Sequence, residues 1–226
     1  PDVSERLIAE ALHPYPDGLV IATKGGLTRS GPGEWHPDGR PEHLREALHG
    51  SLGRLKLERI DLYQLHRPDP EVPLEESLGA LVRLREEGKI RHIGISNVDV
   101  DQLERALDVA DVVSVQNRYN LEDRDAEDVL EACAARGLAF LPWYPLAAGP
   151  LAGDGGEAAR VARELGATPA QVALAWLLRR SPEMLPIPGT SSPEHLEENV
   201  AAAALELGDD AFRALDAAAA PVTAGG

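Results

Sequence analysis

The chain holds one cysteine, three lysines and no long apolar run, and each shortage excludes something. Cys133 alone cannot close an intramolecular disulfide and has no second thiol for a zinc cluster, which fits a reducing compartment and makes the cytoplasm the expected location. Its apolar neighbours in EACAARG make it a core residue rather than a nucleophile. No stretch reaches the roughly 18 apolar residues of a membrane helix. The opening PDVSERL has neither a basic nor an apolar leader region, so no targeting segment is expected, and Pro1 in place of a methionine points to processing or to sequence upstream. Basic residues number 22 against 38 acidic, a net charge of −16, so neither nucleic acid nor an anionic membrane is expected as a partner. There is no G-x-S-x-G elbow, H-E-x-x-H pair or P-loop, so hydrolase motifs are absent. His43 and His49 stand six apart in one helical stretch, far from a shared face, and no metal site is expected.

What is present is a regular alternation. At 226 residues the chain is expected to be one large domain over residues 1–226, with no composition break to divide it and AAAAPVTAGG as a frayed tail. After an opening helix, SERLIAEAL, the strand candidates are LVIAT (19–23), IDLYQL (60–65), IRHIGIS (90–96), VVSVQ (112–116), LAFLP (138–142) and MLPIP (184–188). Segments with helical spacing lie between them. Nearly continuous apolar strands joined through helices are parallel and covered on both faces, which leaves a doubly wound sheet or an eight-stranded barrel. The dinucleotide fingerprint of the doubly wound fold has one formal match, Gly153, Gly155 and Ala158, separated from the preceding strand by a proline-containing stretch and read as a flexible loop. Six strand–helix units instead fit the spacing of a TIM barrel short of about two units. Residues 25–41, rich in proline and glycine, are expected to form a long loop over the barrel mouth.

In such folds the active groups sit at the carboxyl ends of strands. Lys24 ends LVIATK, His66 ends IDLYQLH, Ser96 and Asn97 end IRHIGISN, Gln116 and Asn117 end VVSVQN, and Trp143 with Tyr144 ends LAFLPWY. A lysine closing an apolar strand costs several kcal/mol to desolvate unless it faces a polar cavity or a partner. Its coincidence with His66 at the corresponding end of the next strand points to a shared site. Ser192, followed by Pro193, is a good helix N-cap, and with Thr190 and Ser191 before it makes an anion site. His195 and Asn199 lie four apart on one face of that helix.

The ordered set ATKGG, DLYQLHRPD, EGKIRHIGISN, VQNRYN, PWYPL and IPGTSSPEHLEEN, spread over nearly the whole chain, closely resembles the aldo/keto reductases. The resemblance implies a TIM (β/α)8 barrel, with about six of the eight units in this chain, that binds NADP(H) across its carboxyl-terminal mouth and reduces a small carbonyl substrate. It assigns Lys24 and His66 to the family's catalytic tetrad of Asp, Tyr, Lys and His. Ser96, Asn97 and Gln116 match residues that hold the nicotinamide carboxamide, Trp143 the aromatic that stacks on the nicotinamide, and Leu146 a further cofactor contact. Gly189, Thr190, Ser191, Ser192, His195, Glu198 and Asn199 match the segment around the adenosine phosphate. Two departures stand out. The tetrad Asp and Tyr precede the segment matched by PDVSERLIAEAL and have no counterpart in this chain. Tyr63 is expected to face the helix layer, and neither Tyr119 nor Tyr144 is placed to replace the missing acid. Where some members carry Lys and Arg, this sequence has Gly189 and His195, which weakens the expected grip on the 2′-phosphate and leaves NADH as the alternative to NADPH. The alternative function is a non-catalytic dinucleotide-binding or regulatory module on the same barrel.

Overall fold

Three apolar runs free of proline form strands where the sequence places them. In a computed structural model, which describes residues 3–147 and 155–219, β4 (Ile60–Leu65), β5 (Ile90–Ser96) and β6 (Val112–Gln116) coincide with three of the expected runs. The chain divides into two compact units, Pro1–Val115 and Gln116–Gly226.

In the first unit, β1 (Ala22–Gly25) pairs parallel with β4, β4 pairs parallel with β5, and β6 lies next to β5. Four helices, α1 (Val3–Leu12), α2 (Pro41–Leu55), α3 (Leu74–Glu86) and α4 (Val100–Val109), pack each on the next. The apolar stripes of α2, α3 and α4, including Leu44, Leu48, Leu55, Leu78, Leu81 and Leu103, are fully buried, while α1 buries Ala9. One face of the sheet meets this layer: Tyr63, Leu65, Ile93, Ile95 and Val115 are solvent-inaccessible. Thr23, on the same face as Tyr63 by register, donates its hydroxyl to the Glu5 carboxylate of α1 at 2.6 Å, and the Arg54 guanidinium of α2 donates to that carboxylate at 2.5 Å. Tyr63 therefore faces the helix layer, as expected.

Period-2 alternation puts Gln64, Gly94 and Ser114 on the opposite face, where a β-carbon on Gly94 would lie 2.5 Å from Ser114 Oγ and 2.8 Å from Gln64 Cγ. Lys24 stands level with Gln64 across the β1–β4 ladder. His66 follows Gln64 by two positions, as Ser96 follows Gly94, so all belong to this second face.

Two expectations in this unit need correction. The first strand begins at Ala22, three residues later than LVIAT proposes, because a turn closed by the Leu19 N–H on the Pro16 carbonyl, with Gly18 at φ 82°, leaves Leu19 and Val20 exposed. Residues 25–41 are not simply a loop. They contain an antiparallel hairpin, β2 (Leu27–Gly31) and β3 (Glu34–Pro37), turning at Pro32-Gly33 with Gly33 at φ 79°. Proline at the first turn position and glycine at the left-handed one is the signature that marks it.

The second unit continues the alternation with α5 (Glu127–Ala134), β7 (Ala139–Phe140), α6 (Gly156–Leu165), α7 (Pro169–Arg180), α8 (Pro193–Ala201) and α9 (Asp209–Ala219). Trp176 of α7, fully buried, stacks between Tyr119 and Phe212. Cys133 is buried in α5, and desolvation pushes its thiol up to about 12, which bears out its reading as a core residue. The two proline-bounded runs fall short of full strands. LAFLP keeps two strand residues, and MLPIP makes only a parallel bridge at Met184, flanked by the Phe140 N–H on the Glu183 carbonyl and the Leu185 N–H on the Phe140 carbonyl, each at 2.8 Å. Pro182, Pro186 and Pro188 bring no N–H, so the ladder cannot propagate. The GDGGEA stretch before Gly155 and the tail from residue 220 lie outside the described residues.

Candidate functional site

In the first unit four of the expected site residues sit at the carboxyl ends of neighbouring parallel strands: Lys24 on β1, His66 after β4, Ser96 and Asn97 at the end of β5. The His66 N–H donates to the Gly25 carbonyl at 2.8 Å, which extends the β1–β4 ladder and fixes the base of the imidazole. Burial lowers the Lys24 pKa, since an ammonium is costlier out of water than an amine. Among the described residues its ammonium has no hydrogen-bond or ion-pair partner. Burial also lowers the His66 pKa, to about 4, aided by the positive charges of Lys24 and Arg67. His66 is thus a neutral imidazole at pH 7, able to donate one N–H hydrogen bond and accept another.

Ser96 is buried, and Asn97 takes a left-handed backbone conformation, φ 59°, that aims its amide back along the sheet. Asn97 Nδ2 donates to the His66 carbonyl and to Ser96 Oγ, both at 3.0 Å. Both of its N–H donors are thereby used within the protein.

Lys24 and His66 line a cavity of about 760 Å³ whose wall includes Thr28, Arg29 and Trp35 of the hairpin. The guanidinium of Arg29 lies over the Trp35 ring, 4.9 Å from its centroid. Neither residue stands out as a site residue in the sequence. The Pro32-Gly33 turn by itself would set Ser30 opposite Trp35, and a register shift between Arg29 and Gly31 brings Arg29 there instead, which nothing in the sequence marks.

In the second unit, Gln116 is 6% exposed, and the backbone just beyond it binds the next extended segment: the Trp143 N–H donates to the Asn117 carbonyl at 3.0 Å. Arg118, ion-paired to Asp123 at 2.6 Å, lies 5.8 Å from the Trp143 ring centroid and 4.8 Å from that of Tyr144. Arg118, too, was not singled out in the sequence. Leu146 is half-buried beyond this pair. Tyr119 is spent in the core, its hydroxyl donating to Glu127 at 2.5 Å.

The stretch from Gly189 leads into α8, capped as expected: Ser192 Oγ accepts from the His195 N–H at 3.3 Å, and the Ser192 N–H donates to Thr190 Oγ1 at 3.1 Å. Gly189, Thr190, Ser191 and His195 are exposed, Ser192, Glu198 and Asn199 half-buried, and α8 buries none of its residues. The Glu198 carbonyl is held by Gln171 Nε2 at 3.1 Å, which anchors α8 on α7. Among the described residues no helix is long and apolar enough to cross a membrane, and no cluster of three or more metal-binding side chains forms.

Residues 2–220 match the model of the aldo/keto reductase family. An uncharacterized oxidoreductase of Schizosaccharomyces pombe is 52% identical over 96% of this chain and 70% of its own length. Pyridoxine 4-dehydrogenase of Escherichia coli is 42% identical over 96% of this chain and 77% of its own. Among solved structures, glycerol dehydrogenase from Gluconobacter oxydans superposes with a TM-score of 0.89 at 25% identity, over 99% of this chain and 80% of that one. An aldo-keto reductase from Klebsiella pneumoniae in complex with NADPH gives 0.83 at 29% identity, over 98% and 77%. The expected fold class, α/β of the TIM-barrel type, is borne out by these likenesses.

Proposed function

Since this chain belongs to the aldo/keto reductase family, we propose that it is an NAD(P)H-dependent oxidoreductase that reduces aldehydes or ketones to alcohols. The observation that carries this reading is the pairing of a partly buried lysine without a counter-ion and a neutral histidine on adjacent strand ends. When bound, NADPH would supply a hydride to the carbonyl carbon while the oxygen takes up a proton from water, leaving an alcohol and NADP⁺.

This chain's own residues act around that exchange. Lys24 places a positive charge where negative charge gathers on the carbonyl oxygen, and it lowers the pKa of any phenol beside it from the usual value near 10. His66, uncharged, donates its N–H to the carbonyl oxygen and polarises it without repelling Lys24. No tyrosine or aspartate of this chain matches the other tetrad members, so its own residues supply charge and orientation at the site.

The donor set fits the cofactor. In the first unit the Ser96 hydroxyl, and in the second unit the Gln116 amide, are each strand-end polar groups of the kind suited to a carboxamide. Trp143 supplies a flat face held by Arg118, and Leu146 an apolar neighbour. At the α8 end, a β-carbon on Gly189 would meet nothing within 4 Å, so the backbone there is open to a phosphate. His195 and the Thr190, Ser191 and Ser192 hydroxyls provide hydrogen bonds to the adenosine end, and Glu198 and Asn199 line the same helix.

The test is NADPH oxidation with 4-nitrobenzaldehyde, alongside NADPH affinity from calorimetry. Lys24→Met is expected to lower kcat by about 10² or more with cofactor affinity kept within roughly twofold. Turnover unaffected by the substitution overturns the assignment. NADPH binding without turnover in the unsubstituted chain supports the non-catalytic dinucleotide-binding module instead.

A further inference from the structure

We propose that the β2–β3 hairpin is the specificity element of this site, and that Arg29 and Trp35 select flat aryl carbonyl compounds carrying an anionic substituent. The inference deepens the reductase reading and rests on it for the carbonyl. The geometry starts with the register: Arg29 stands opposite Trp35, and its guanidinium lies 4.9 Å from the indole centroid. Nε of Arg29 donates to the Gly31 carbonyl at 2.8 Å, which fixes the plane of the fork and leaves its terminal N–H groups for a ligand. The hairpin's own carboxylate is occupied elsewhere, since Glu34 accepts from the Ser30 hydroxyl at 2.8 Å, and Ser30 also bonds His36 Nε2 at 2.9 Å. Among the described residues no carboxylate pairs with Arg29.

The charge balance of the cavity points the same way. In a chain of net charge −16, the cavity wall carries Lys24 and Arg29 with no ion-pair partner, whereas its Glu5 is matched by Arg54 and its His43 faces Asp38 at 3.6 Å. Glu46, exposed on α2, is the one lining carboxylate without such a partner among the described residues. An anionic group beside Arg29 gains a planar, bidentate partner, and a guanidinium so placed binds a carboxylate about twice as strongly as a neutral acceptor. Trp35 is 51% exposed, a large apolar surface beside the reactive lysine and histidine that a flat ring would cover. An aliphatic carbonyl compound would leave that surface wet, and a neutral ring would leave Arg29 without a counter-charge.

The experiment uses the full chain and two probes that share one aryl frame, 4-(hydroxymethyl)benzoate and its uncharged methyl ester, titrated by calorimetry. The acid is expected to bind about tenfold more tightly than the ester, a preference that falls below about twofold in Arg29→Gln and survives in large part in Arg29→Lys. Trp35→Ala is expected to weaken both probes by a similar factor. Equal affinity for acid and ester in the unsubstituted chain, no binding of either, or a preference unchanged in Arg29→Gln overturns the proposal. Both positions are on a solvent-facing hairpin, and far-UV circular dichroism checks that the variants stay folded. A parallel assay of 4-formylbenzoate and its methyl ester with NADPH separates the two claims. Failure to reduce either aldehyde while the calorimetric preference stands counts against the reductase reading alone. Reduction of both at equal kcat/KM counts against the subsite alone.

Discussion

The side-chain amide of Asn97 donates to the backbone carbonyl of His66 across 3.0 Å, tying the end of β5 to the end of β4 at the residue that carries the imidazole. The same amide reaches Ser96 Oγ, so one side chain fastens two strand ends. It does so from φ 59°, a conformation that asparagine and glycine tolerate and that costs other residues about 1 kcal/mol or more. Asn97→Ala loses the hydrogen bonds and takes on the backbone strain, whereas Asn97→Gly loses the bonds alone. Urea unfolding is expected to rank stability as Asn, then Gly, then Ala, with Ala about 2 kcal/mol below Asn. Alanine equal to glycine would show that the left-handed backbone carries no strain.

A second consequence concerns pH. His66 has a pKa of about 4 in the folded chain against about 6.5 when unfolded, so between those values the unfolded chain binds more protons. Stability therefore rises with pH across that window, is fully present above 6.5, and is lost as the pH falls toward 4. His66→Gln should flatten this slope of the denaturation midpoint without touching the slope below 4. A ring titration followed by NMR that gives a midpoint near 6.5 would contradict the burial argument. It would also make His66 partly cationic at neutral pH and change its role from hydrogen-bond donor to acid.

Much of this was legible because the strands that position the site are apolar and free of proline. IDLYQL and IRHIGIS become β4 and β5 residue for residue, and parallel pairing then brings Lys24, His66 and Ser96 to one edge. Where proline intervenes, apolar content misleads: MLPIP looks like a strand, yet only Met184 bridges. The Arg29–Trp35 and Arg118–Trp143 stackings were out of reach because each depends on a register, set in one case by a bulge behind a Pro-Gly turn and in the other by a single parallel bridge. Sequence spacing alone shows neither which residue stands opposite which nor where a guanidinium lies.

Ser192 lets a structural role be separated from a binding one. Its hydroxyl caps α8 through the His195 N–H, and a cap of this kind is worth about 1 kcal/mol. Ser192→Ala should lower stability by roughly that amount. Ser192→Asp keeps a capping oxygen, so stability should stay within a few tenths of a kcal/mol, but it adds a negative charge where the adenosine phosphate is proposed to bind. NADPH affinity is expected to fall about fivefold in low salt and less in high salt, as screening requires. An affinity for NADPH unchanged by the new carboxylate would move the phosphate away from this helix.

The strand that carries Lys24 is also held from its other face. An ideal β-carbon on Gly25 would sit 2.1 Å from Tyr63 Oη and 2.8 Å from Cζ, so the buried phenol lies directly against the backbone next to the lysine. That hydroxyl is buried without a hydrogen-bond partner among the described residues, and desolvation raises the Tyr63 pKa well above that of free tyrosine. Removing it in Tyr63→Phe should therefore cost little, since no hydrogen bond is lost and a desolvated polar atom is relieved. Gly25→Ala should cost about 1–3 kcal/mol, the usual range for overpacking a closed site. In the double variant the nearest obstacle is gone, while the ring carbons remain close at 2.8 and 3.1 Å, so part of the cost should be recovered. A double-mutant cycle by chemical denaturation is expected to give a coupling of about 1 kcal/mol in the direction of rescue. Additive effects would mean that the clash is absorbed by movement of β1, which would displace Lys24 and appear as a fall in kcat in Gly25→Ala that Tyr63→Phe does not repair.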